Sequence, residues 1–272
     1  MLKLPLRWIA AALLLINGFF PALWILLTSF KTEAELAQTP ITWLPQHPSL
    51  DNYLLAFAEQ PLLLFLANSF AVALLSTLLT LFAATGAAYA LTRLQLRHRG
   101  LILTSLIAVA MFPPATLLVP LFEIMRGLGL INTYGALVLP YAVQSLPICT
   151  LVLASFFQQV PRDIEHAAMI DGCTRLQALM RIVLPLAAPG VFTAGILAFV
   201  NAWDEFLLAL ALNAAPGSRT LPVGILLYQG EFSFPWPVIS AALVVAIVPL
   251  AIIIVLFQER VVSGLTAGGL KG

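Results

Sequence analysis

Six nearly uncharged apolar stretches dominate the chain: residues 8–30, 62–91, 101–122, 134–157, 191–212 and 238–257. About 20 apolar residues, at about 1.5 Å of rise each, cross the hydrocarbon core of a bilayer as a helix. Each stretch is long enough to do so, and the second is long enough to tilt or to project beyond it. None alternates with a period of two, which excludes the strands of a membrane barrel. The sequence therefore predicts an all-α, polytopic membrane protein with six transmembrane helices, in which residues 1–272 form a single transmembrane domain. Only 9% of the residues are charged, against about 25% in an ordinary soluble domain. The first stretch exceeds a usual signal-peptide core and reads as an uncleaved signal anchor.

Charge sets the orientation. Lys3, Arg7, Arg93, Arg97, Arg99, Arg162, Arg175, Arg181, Arg260 and Lys271 fall on one side of such a membrane, and Lys31, Arg126 and Arg219 on the other. Cytoplasmic loops carry the Lys/Arg excess, so both termini are expected in the cytoplasm, together with residues 92–100 and 158–190. A net charge of +1 offers no field for nucleic acid. Cys149 and Cys173 have neither metal-ligand nor scaffold spacing, and no metal site is expected.

The 158–190 loop carries the densest local signals. Pro161 suits the first position of a helix, and Asp163 and Glu165 follow in its first turn, where the helix dipole favours acids. Gly172 stands where a helix end takes a left-handed residue. Thr174 with Gln177 reads as a capping box opening a second helix, and Pro185 closes it. Leu176, Leu179, Met180 and Val183 make an apolar stripe on that helix. The expectation is a cytoplasmic helix-turn-helix; from geometry alone, two helices that merely lie under the membrane fit equally well. Arg162, Arg175 and Arg181 are balanced by Asp163, Glu165 and Asp171, which leaves no net charge for DNA phosphates.

Glu165-His166-Ala167-Ala168, then Asp171-Gly172, then Ile182-Val183-Leu184-Pro185 after nine residues, resemble the EAA loop of ABC importer permeases. The resemblance extends over nearly the whole chain. Ser29-Phe30-Lys31, Asp51-Asn52-Tyr53, Asn68-Ser69, Ala88-Tyr89-Ala90-Leu91, Gly129 to Thr133 and the tail from Gly264 to Gly272 are similar to the smaller, six-span permease subunit of maltose- and trehalose-type systems. The family often has Glu or Ala at His166, Ala at Cys173, and Pro at Thr32. The resemblance implies a permease of a sugar importer in a bacterial or archaeal cytoplasmic membrane. Its implied partners are a second permease, two ATP-binding subunits and an extracytoplasmic sugar-binding protein. Glu165, Ala167, Ala168, Asp171, Gly172, Ile182, Leu184 and Pro185 would seat in a cleft of the ATPase, with Glu165 the charged contact for a basic group there. Gly268, Gly269 and Lys271 would supply a second contact.

No G-x-x-x-x-G-K-[ST] loop occurs, so ATP and Mg would be used by the partner ATPase and no cofactor is expected on this chain. Nor is there a catalytic constellation: the chain is expected not to be an enzyme. In the fifth stretch, Asn201, Asp204 and Glu205 share one helical face. Intramembrane carboxylates usually face protein or water, so these three either line a translocation path or pack between helices. The rival to an ATP-driven importer is an ion-coupled secondary transporter. That design would show internal repeats and more ionisable residues in the spans.

Overall fold

The computed structural model describes residues 3–230 and 233–269, with side chains described for 13–230 and 233–257. Lys271 lies outside the described residues, and Gly268 and Gly269 are described only as helical backbone. The described residues contain no strand. In chain order the helices are α1 (Lys3–Thr28), α2 (Glu33–Leu36), α3 (Asp51–Glu59), α4 (Leu62–Arg93), α5 (Arg99–Ala110), α6 (Leu118–Gly127) and α7 (Tyr134–Gln159). There follow α8 (Arg162–Ile170), α9 (Arg175–Ala178), α10 (Leu184–Leu186), α11 (Ala188–Asp204), α12 (Leu207–Leu212), α13 (Leu221–Leu226) and α14 (Trp236–Gly269).

Helices α4 and α7 and the Trp236–Phe257 part of α14 are long and apolar enough to cross a membrane, and Leu13–Thr28 of α1 is a shorter apolar helix. The third predicted stretch is broken. Arg99–Ala110 and Pro114–Gly127 meet at 89°, because Pro114 drives Pro113 out of the helical region (ψ 121°) and neither proline has an N–H to give. The fifth is broken too: α11 ends at Asp204, and Glu205 is extended (φ −68°, ψ 125°) before α12 starts at Leu207. A further bend of 83° separates Arg175–Leu186 from Ala188–Asp204.

The chain forms two compact units, residues 1–66 with 221–251, and residues 67–220 with 252–272. In the first, polar side chains staple the segment after α1. Asn52 donates its amide to the carbonyls of Ser29 (2.9 Å) and Lys31 (2.8 Å), and the Ser29 hydroxyl meets that of Tyr53 at 2.8 Å. The Lys31 ammonium, wholly buried, donates to the Thr42 carbonyl and lies 4.8 Å from the centre of the Trp24 ring. Two short motifs far apart in sequence thus bond to each other.

The core of the second unit is built where α11 packs on α7. Ala84, Ala88, Ala194 and Ala198 are buried there among Leu153, Phe157 and Val183. Such small residues let helix backbones approach closely, which is how membrane helices gain packing energy. Gly190 shows the limit of that approach: a Cβ there would lie 2.3 Å from the Phe156 ring. At another edge of this unit, Asn68 donates to the carbonyls of Gly217 (3.0 Å) and Arg219 (2.8 Å) and accepts from the Tyr134 hydroxyl at 2.6 Å. Asn213 adds bonds to the carbonyls of Thr133 (3.1 Å) and Ser218 (3.2 Å). Residues 213–219 are clamped rather than slack.

Candidate functional site

Two features of the second unit carry the chemistry, a buried acid at the 158–190 segment and a polar-lined cavity.

Helix α8 forms much as its sequence dictates. Asp163 and Glu165 occupy its first turn, Gly172 takes a positive φ of 95°, and the Thr174–Gln177 capping box is complete. Pro161 is the N-cap rather than the first helical residue. The second helix departs further from expectation. It is interrupted by a π-helical turn over Leu179–Val183 and runs through Pro185 to Leu186. Pro185 has no N–H for the Arg181 carbonyl, so the ordinary bonding pattern gives way just before it. The apolar stripe is split as a result: Leu179 and Val183 are buried, whereas Leu176 and Met180 are exposed. Ile182 and Leu184 are half-buried and Pro185 is exposed.

Glu165 does not stand free as a charged contact for another protein. It is 4% exposed, accepts a hydrogen bond from the Tyr89 hydroxyl, and pairs with Arg93 at 2.9 Å from Nε to Oε2. Arg93 also donates to the carbonyls of Phe157 (2.9 Å) and Val160 (2.8 Å), and Arg162 donates to that of Thr92 (2.8 Å). The acid therefore fastens α8 to the adjoining ends of α4 and α7. Sequence reading had Tyr89 within a motif but no signal of its partner, which lies 76 positions away. The outward side of α8 consists instead of Asp163, Ile164, His166, Ala167, Ile170 and the following Asp171, with Ile170 86% exposed. Ala168 is buried.

Asn201, Asp204 and Glu205 do come together. They line one cavity of about 460 Å³ with Pro114, Gln144, Leu197 and Val200. A second cavity of about 500 Å³ shares Pro114, Gln144 and Asn201 with it and runs along α5. The proline break between α5 and α6 thus opens the space that the acids face. Their roles differ. Glu205 turns back to cap α12, accepting from the N–H groups of Leu208 (2.8 Å) and Ala209 (3.1 Å) and from the Tyr141 hydroxyl (2.6 Å). Asn201 donates to the Ser145 hydroxyl at 3.2 Å, and Asp204 is exposed to the cavity. Sequence reading missed Gln144, an amide in the apolar middle of α7, and Tyr141.

A family model described as "Binding-protein-dependent transport system inner membrane component" matches residues 81–266. The chain belongs to this family. It is 71% identical over 268 residues to the sulfoquinovosyl glycerol transport system permease protein of Agrobacterium fabrum, covering 98% of this chain and 94% of that one. Identity to the trehalose/maltose transport system permease protein of Thermococcus litoralis is 39%, over 100% of this chain and 98% of the other. The fold matches a bacterial ABC transporter involved in the import of the acidic polysaccharide alginate, with a TM-score of 0.80 at 21% identity, over 93% of this chain and 94% of that. This permease is accordingly a non-catalytic, multi-pass inner-membrane subunit of an ABC importer, and the ATPase is a separate subunit.

Proposed function

We propose that this permease forms part of the path by which a sugar, a glycoside or a di- or oligosaccharide, enters the cell. The observation that carries the reading is the convergence of Asn201, Asp204 and Glu205 on one cavity beside the α5–α6 break. The names of its relatives, sulfoquinovosyl glycerol and trehalose/maltose permeases, support the substrate class. Six spans follow if α5–α6 and α11–α12 each count as one broken crossing, with α1, α4, α7 and α14 as the others. The Lys/Arg distribution then supports cytoplasmic termini and a cytoplasmic 158–190 segment.

In this arrangement Ile164, Ala167 and Ile170 of α8 seat against an ATPase, while the buried Glu165 holds the helix rigid from behind. Ala168, Asp171, Gly172, Ile182, Leu184 and Pro185 shape the segment, and Gly268, Gly269 and Lys271 add a tail contact. The complex comprises this chain, a different second permease, two ATP-binding subunits that use ATP and Mg, and an extracytoplasmic sugar-binding protein. This chain holds no cofactor. The test is to purify the complex and screen sugar-loaded binding protein for stimulation of ATP hydrolysis. Stimulation by a sugar supports the reading, and solute uptake without any ATPase subunit would overturn it.

A further inference from the structure

The cavity is chemically one-sided. None of the described residues lining either part of it is basic, whereas Asp204 and Glu205 are acidic. The oxygens of Glu205 are already engaged by Tyr141, Leu208 and Ala209. The carboxylate of Asp204 has no hydrogen bond or ion pair among the described residues and faces the space. Beside it, the Nε2 of Gln144 is buried without a hydrogen-bond partner. A buried amide donor left unpaired is costly, and a change of rotamer toward the cavity that Gln144 lines would let it meet an acceptor there.

A free carboxylate and one unpaired amide against the apolar wall of Pro114, Leu197 and Val200 suit a ligand with hydroxyl groups on one edge and C–H groups on the other. They do not suit an anion. Within about 6 Å of a fixed unit charge, even in a water-like medium, the local concentrations of monovalent cations and anions differ by about an order of magnitude. We infer that Asp204, Gln144 and Asn201 form a seat for the uncharged polyol part of the solute, and that this wall repels any anionic group the solute carries. This assignment rests on the proposed sugar path through the cavity.

The test uses the assembled complex in vesicles, with Cys149 and Cys173 replaced by alanine and Val200→Cys as the reporter. Val200 lies one helical turn before Asp204 on the cavity wall. Cationic and anionic methanethiosulfonates of matched size are compared, each rate normalised to a free thiol in solution. The expected result is about a tenfold preference for the cationic reagent, falling severalfold in Asp204→Asn, where the carboxylate of Glu205 remains. Modification is also expected to slow in the presence of sugar-loaded binding protein. Leu197→Cys, on the same wall, serves as reporter if Val200→Cys fails to assemble. Equal rates for the two reagents, or a preference undiminished in Asp204→Asn, would overturn the inference while sugar protection kept the path reading intact. A charge preference with no protection by any sugar would overturn the path reading and the polyol seat with it.

Discussion

Replacing Arg93 by methionine tests whether a buried ion pair seats the helix proposed to face the ATPase. The substitution removes the 2.9 Å pair with Glu165 and the two bonds to Phe157 and Val160. Glu165, 4% exposed, is left with the Tyr89 hydroxyl as its remaining partner. Breaking such a pair from one side costs about 3–5 kcal/mol, because a charge remains buried without compensation. At about 1.4 kcal/mol per decade this amounts to roughly a hundredfold to a few thousandfold in favour of states with α8 detached. Loss is therefore expected to be local, since Arg93 is the last residue of α4 and its contacts lie at the adjoining ends of α4, α7 and α8. Hydrogen exchange over residues 162–170 should accelerate, and sugar-stimulated ATPase activity should fall. Glu165→Gln, which keeps an acceptor for Tyr89 but removes the charge, should do the same more mildly. Arg93→Met with Glu165→Met should regain protection, since an apolar pair replaces a buried ionic one at little cost. Wild-type exchange and coupling in Arg93→Met would show that the pair does not hold the helix.

Gly172→Val forces a branched side chain to φ 95° with nothing within 4 Å to clash; the cost is conformational, about 1–2 kcal/mol. ATPase co-purification should drop, and less so for Gly172→Asn. Asp204→Ala should reduce uptake with the complex intact. Glu205→Ala removes the cap of α12, worth about 1 kcal/mol or more, so it should also lower the thermal stability of the purified complex. Stability equal to wild type would refute its capping role. Reporter fusions after Lys31 and after Gly100 should report opposite sides of the membrane, with Lys31 outside; the same side for both would refute the proposed orientation.

What the sequence made legible here is local. The capping box at Thr174, the acids of the first turn of α8 and the left-handed Gly172 each depend on neighbours within a few residues, and each appears as expected. The placement of Asn201 and Asp204 on one face of α11 was legible for the same reason, whereas Glu205 lies beyond the end of that helix and joins them only at the cavity. What required the fold was the partner of each charge. Glu165 reads as a surface contact until Arg93 and Tyr89 are brought to it, and Glu205 reads as a path residue until α12 starts beside it. The Pro113–Pro114 pair marks a kink in sequence, but its 89° angle depends on what packs around it. The break at Glu205 has neither proline nor glycine to announce it. At the break the Glu205 side chain takes up the N–H groups of Leu208 and Ala209.

Helix α4 contains no proline and is gripped near both ends, by Asn68 at the 213–219 segment and by Arg93 at α8. The two grips are about 37 Å apart at 1.5 Å per residue, so a 10° tilt about one end would carry the other by about 6 Å. The helix is thus a lever with a fixed handle at each end. A rotation too small to break any packing at the α8 end would become, at the far end, a displacement of several ångströms.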